Sequence, residues 1–122
     1  MSGLSSEEKR ARFQKALDRG GNTHTINDVV AMVNTGHAMF WEKGDGVVVT
    51  ELVTFPRLKV VRYWLVAGAL DDVLALQNDI DTWARFNGCQ MATATGRKGW
   101  GRAAASSGWK PDLITFYKDL LP

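Results

Sequence analysis

Lys59-Val-Val-Arg-Tyr-Trp-Leu-Val-Ala67-Gly68, running directly into Ala69-Leu-Asp-Asp-Val-Leu-Ala-Leu76, decides the fold of this chain. Before Gly68 the residues are β-branched and aromatic, the composition of a strand. After it, apolar residues recur three and four apart at Leu70, Val73, Leu76 (or Gln77), Ile80, Trp83 and Ala84, until Asn87-Gly88 ends the pattern. A strand that passes through one glycine into a long amphipathic helix is the first half of a βαβ unit. The short β-capable run Cys89-Gln-Met-Ala-Thr-Ala-Thr95 then completes it as a strand parallel to the first.

Upstream, Val47-Val-Val-Thr-Glu-Leu-Val-Thr-Phe55 is separated from the decisive strand by Pro56-Arg57. It is separated from the preceding run, beginning at His37, by Gly44-Asp45-Gly46. Two turns that short join three strands as an antiparallel meander. Ahead of the sheet stand two helices. The first spans Ser5 to Arg19, with Ser5 and Glu8 at capping-box spacing and Phe13, Ala16 and Leu17 on one side, and stops at Gly20-Gly21. Its narrow apolar stripe suits a surface helix, a docking helix or a detachable arm. The second starts at Thr25, with Asp28 three residues on, and should bury Val29, Val30, Met32 and Val33 before ending at Gly36. Downstream, the segment from Gly96 enters a small helix ending near Ser107-Gly108, and Leu113-Ile-Thr-Phe-Tyr117 is expected as a last strand.

The 122 residues make one domain, with 1–22 as an N-terminal amphipathic helix or arm. Fifteen Lys+Arg against thirteen Asp+Glu leave a formal charge of +2, too little for bulk attraction to nucleic acid or an anionic membrane. Cys89 is the single cysteine, which excludes an intrachain disulfide and a zinc site of paired cysteines. No run approaches the length of a membrane span, and the first residues lack the apolar region of a cleaved signal.

The element order, with Gly96-Arg-Lys-Gly-Trp-Gly-Arg, Gly108-Trp109 and Tyr117-Lys-Asp-Leu in its last third, resembles the GNAT superfamily of N-acyltransferases over roughly residues 25 to 118, and within it small bacteriophage proteins with GNAT-like folds. The resemblance implies an α+β fold: a mixed sheet in which an antiparallel meander is followed by a βαβ unit and a C-terminal helix and strand. It also implies either of two functions. One is a phage protein without standard acetyltransferase activity, in host cytoplasm or virion, acting through protein contacts with other virion components. The other is an acyltransferase using acetyl-CoA or another acyl-CoA, with a non-standard cofactor loop.

Active members of that superfamily wrap the coenzyme pyrophosphate in a glycine-rich, cation-bearing loop at the start of the long helix. Here the corresponding stretch is Val66-Ala-Gly-Ala-Leu-Asp-Asp72, with one glycine and no cation, and its Asp71 and Asp72 suit the helix dipole while repelling phosphate. The late-helix tyrosine that protonates the leaving thiolate has Ala104 in its place, which leaves Ser106, Ser107 or Tyr117 as the nearest alternatives. For an enzyme, the resemblance points to Glu51 as general base and to Val66, Gly68 and Ala69 as cofactor contacts.

Other candidates come from the residues alone. Arg97, Lys98 and Arg102, interleaved with glycines and Trp100, are the one concentrated basic and aromatic cluster, suited to an anion, a protein partner or weak nucleic-acid contact, or else to a plain tight turn. Of the five tryptophans, Trp64 and Trp83 sit at core positions and Trp41 and Trp100 are the better candidates for an interface, with core packing the role expected of any one of them. Thr50 and Thr54 fit the polar face of a half-covered strand. His24 and His37 have no spacing that favours a metal or an acid–base pair, and Cys89 fits a small buried hydrophobe.

Overall fold

The computed structural model describes residues 6–96 and 104–121. Two helices come first, α1 (Ser6–Arg19) and α2 (Ile26–Asn34), followed by strands β1 (Met39–Lys43), β2 (Gly46–Phe55) and β3 (Leu58–Ala67). Helix α3 (Leu70–Phe86), strand β4 (Met91–Ala94) and a short 3-10 turn at Ala105–Ser107 complete the order. The strands lie in the order β1-β2-β3-β4; the first three pair antiparallel and β4 runs parallel to β3. The meander and the βαβ unit expected from the period change at Gly68 are both present.

Strand alternation sends the apolar residues of the sheet to two faces, each covered by helix. On one face Val48, Val61 and Tyr63 pack with Val73, Leu76, Ile80 and Ala84 of α3. On the other, Val49 and Leu65 pack with Leu17 of α1 and Val29 of α2. The result is a three-layer sandwich with the sheet between α3 and the α1–α2 pair.

Helix α2 starts with the expected capping box: the Asp28 amide donates to the Thr25 hydroxyl at 3.1 Å and the Thr25 amide donates to the Asp28 carboxylate at 2.8 Å. The Thr25 amide, and then the Thr25 hydroxyl, favour the charged carboxylate and hold the Asp28 carboxyl below its ordinary range.

Val30 and Thr50 differ from the sequence expectation, and Trp41 takes the core role expected of the tryptophans rather than an interface one. Val30 is half exposed because it lines an open groove beside Val33 and Phe40 rather than the core that Val29 enters. Trp41 turns inward, edge-on to Trp83 with ring centroids 5.5 Å apart, and its indole N–H donates to Thr50 at 3.0 Å. Thr50 is accordingly fully buried, its hydroxyl satisfied by that bond rather than by solvent.

The last expected element does not form. Leu113–Tyr117 belongs to no strand, and Leu113, Ile114, Phe116 and Tyr117 are all at least three-quarters exposed. A strand is held by a neighbour's backbone and by a face on which to lay its side chains, and this segment meets neither among the described residues. The small helix expected from Gly96 is represented among the described residues by the turn Ala105–Ser107, which Gly108 ends in the left-handed region.

Candidate functional site

The irregularity that makes a site lies on β3. Val49 of β2 pairs with Leu65 and Thr50 pairs with Tyr63, so Trp64 is an extra residue, a β-bulge. Tyr63 and Val66 face α3, whereas Trp64 and Leu65 both face the α1–α2 side. Strand β4 pairs with β3 from Val60↔Met91 to Tyr63↔Ala94 and stops there. Beyond the bulge β3 continues to Ala67, and residues 64–67 have no strand partner on the β4 side among the described residues. The pairing of β4 with β3 thus ends, with β4 itself, at the bulge, and β3 runs on from there to the start of α3.

The side chains about the bulge have specific partners on both faces of the sheet. On the α3 side Tyr63 is buried and its hydroxyl donates to Asp81 at 2.6 Å. Trp109 stands edge-on to the Tyr63 ring with centroids 5.1 Å apart, and its indole N–H donates to Gln77. On the opposite side His24, from the loop between α1 and α2, stands edge-on to the bulged Trp64 at 4.7 Å, and its Nδ1 is 2.7 Å from the Thr23 hydroxyl. His24 is thus the histidine that packs on the bulged residue. Sequence reasoning had no signal for it, since the contact joins a loop to a strand forty residues later.

Burial, and then the Asp81 carboxylate, push the Tyr63 hydroxyl above its ordinary value of 10.0. The folded chain holds that proton more tightly than the unfolded chain does, so the associated stability is complete below pH 10 and falls as pH rises beyond it. Urea melts of wild type and Tyr63→Phe across about pH 8 to 11 check this. The wild type should lose stability above pH 10, and the variant, weaker at pH 8, should lose less. Parallel slopes in the two proteins would contradict it.

The residues singled out in the sequence are dispersed. Glu51 lies on β2 opposite Arg62, and its Oε1 accepts from the Arg62 guanidinium at 2.6 Å. Val66 packs into the α3-side core from the unpaired end of β3. Gly68, at φ +96°, lies so close to the β1–β2 turn that a Cβ would be 1.8 Å from the Asp45 carbonyl oxygen. Ala69 is the residue that precedes α3 and supplies no side-chain cap. Asp72 faces the same turn and accepts from the Asp45 amide at 3.1 Å, so one acid of the pair holds a loop. Asp71 is exposed. Arg97, Lys98, Trp100 and Arg102 lie outside the described residues. Ser106, Ser107 and Tyr117 are exposed, and Cys89 is half-buried against the α3-side core.

No family model matches this chain, and no curated protein matches it. Solved structures do. An aminoglycoside acetyltransferase from an uncultured soil metagenomic sample, solved with trehalose, superposes with a TM-score of 0.64 at 8% identity, over 97% of this chain and 93% of that one. A Trypanosoma brucei acetyltransferase gives 0.61 at 13% identity, over 91% and 94%. A GNAT family acetyltransferase of Staphylococcus aureus gives 0.54 at 13% identity, over 96% and 95%. The chain has the GNAT acetyltransferase fold, a mixed four-stranded sheet with helices on both faces. Nothing in the fold or in these neighbours indicates a bacteriophage source or a virion role. No helix of the described residues is long and apolar enough to cross a membrane.

Proposed function

We propose that the chain binds an acyl-CoA along the end of β3 beyond the Trp64 bulge and transfers its acyl group to an amine. The observation that carries this reading is that β4 pairing stops at the Trp64 bulge, so that among the described residues 64–67 of β3 have no strand partner on that side. An unpartnered strand edge offers alternating N–H and C=O groups, and the pantetheine arm, a linear chain with two amides, pairs with such an edge as an added strand would. Val66 and the backbone at Gly68 and Ala69 then lie along the arm. The thioester supplies an activated acyl carbon. The incoming amine nitrogen forms the new C–N bond as the C–S bond breaks, and the sulfur leaves with the electron pair. A proton must be taken from the amine. His24, over the bulge, is the group assigned to accept it, and Glu51, held by Arg62, serves as the comparison.

Asp45, Asp71 and Asp72 cluster at the far end of this edge, where the phosphates of the coenzyme would approach, and their charge weakens that end. They also favour a second reading, a GNAT-fold protein that acts through protein contacts and binds no acyl-CoA. Calorimetric titration with coenzyme A and acetyl-CoA separates the two. Saturable binding that tightens roughly 2- to 5-fold in Asp71→Asn at low salt is the expected result, since a charge at a helix start is worth about 0.3–1 kcal/mol. Absence of binding in both proteins at millimolar ligand sinks the acyl-CoA reading. If binding is found, turnover of an amine acceptor should fall at least about tenfold in His24→Gln and less in Glu51→Gln, the order reversing if Glu51 is the base.

A further inference from the structure

The described tail from Pro111 to Leu121 carries Leu113, Ile114, Phe116, Tyr117, Leu120 and Leu121, each between 76% and 91% exposed. So much apolar surface on one short segment marks an interaction site. The same chain carries a receiving surface. Among the described residues β1 is one of the two border strands of the sheet, with β4, so its outer edge has no strand partner. Beside that edge, on the α1–α2 side, lies a groove of about 330 Å³. Phe13, Val30, Val33 and Phe40 are among its apolar lining, and Lys9, Arg10 and Glu42 also border it. Val30 and Phe40 are each about half exposed.

We infer that the tail of one copy lies as an added strand along β1 of a second copy and fills this groove, the exchange being reciprocal in a two-fold dimer. In an extended segment Asp112, Ile114, Phe116 and Lys118 share one face. That face presents an acid, two large apolar side chains and a base to a groove that offers cations, an apolar floor and an acid.

The occupant is the second copy because the chain's own tail falls short. Trp109 is fixed on the α3 side, against Tyr63 of β3 and Gln77 of α3. From β3 to a strand outside β1 is three strand spacings, about 14 Å sideways. The four residues from Trp109 to Leu113 span at most about 14 Å fully extended, which leaves nothing for the passage around the sheet edge to its other face.

Size-exclusion chromatography with light scattering on the full chain should give twice the chain mass of 13.5 kDa. Ile114→Asp with Phe116→Asp should return it to the single-chain mass, and at a dilution where the wild type too is monomeric the two should melt alike, as these side chains take no part in either core. With Cys89→Ser as background, Phe40→Cys and Ile114→Cys placed in separate chains and mixed should give a covalent pair on mild oxidation. A full chain that is monomeric at about 100 µM overturns the inference, since an exchange of this kind is governed by protomer concentration. So does a dimer insensitive to the double variant, or a cross-link formed only when both cysteines are in the same chain.

Discussion

Gly68→Ala should lower the melting temperature by on the order of 10–15 °C, the equivalent of about 2–5 kcal/mol in a domain of this size. Two costs combine. An L-residue in the left-handed region at φ +96° loses roughly 1–2 kcal/mol. The new methyl must also displace the Asp45 carbonyl, from which it would stand 1.8 Å, and overpacking against backbone costs about 1–3 kcal/mol. The Asp45 backbone cannot yield easily, because its amide is held by Asp72 and the next residue pair, Lys43 with Gly46, closes the β1–β2 hairpin. Gly36→Ala is the internal control. Gly36 also has a positive φ, +81°, but a Cβ there meets nothing within 4 Å, so only the conformational cost, about 1–2 kcal/mol, should appear. Thermal unfolding of both variants followed by circular dichroism decides the matter. Equal shifts would mean that the contact with Asp45 carries no weight.

Ile80→Ala should be of similar size, about 2–5 kcal/mol, for a different reason. Ile80 is fully buried where α3 lies on the sheet, in one cluster with Val48, Val61 and Tyr63, and truncation leaves a cavity among strands that cannot collapse onto it. Phe86, six residues later on the same helix, is 91% exposed, and Phe86→Ala should change stability by no more than about 0.5 kcal/mol. Urea denaturation with unchanged slope across the three proteins would assign the loss to the folded core. A loss below about 1 kcal/mol for Ile80→Ala would contradict the packing described.

The order of elements and the two faces of the sheet were legible in the sequence because each rests on a local pattern. The switch of period at Gly68 marks strand and helix, the short turns at Gly44–Gly46 and Pro56-Arg57 force antiparallel neighbours, and Thr25 with Asp28 places a helix start to the residue. Leu113–Tyr117 has the same β-rich composition as the strands that did form and yet forms none. Composition states what a segment can become, and a backbone partner decides whether it does.

The candidate site was the less legible part. An extra residue in a strand leaves no mark in the alternation of Tyr63-Trp64-Leu65-Val66, since all four are apolar or aromatic and any of them could face either side. The bulge became visible only through the register of β3 against β2. The contact of His24 with Trp64 joins elements forty positions apart, and the commitment of Glu51 to Arg62 depends on their standing opposite each other across two strands. By itself the sequence determined which segments are helix and strand and how consecutive ones connect, because propensity, capping and turn length act within a few residues. The tertiary structure alone decided where the pairing of β3 with β4 ends, which side chains stand about the bulge and which apolar segment has no strand partner among the described residues, because each depends on register and contact between residues that the chain holds far apart.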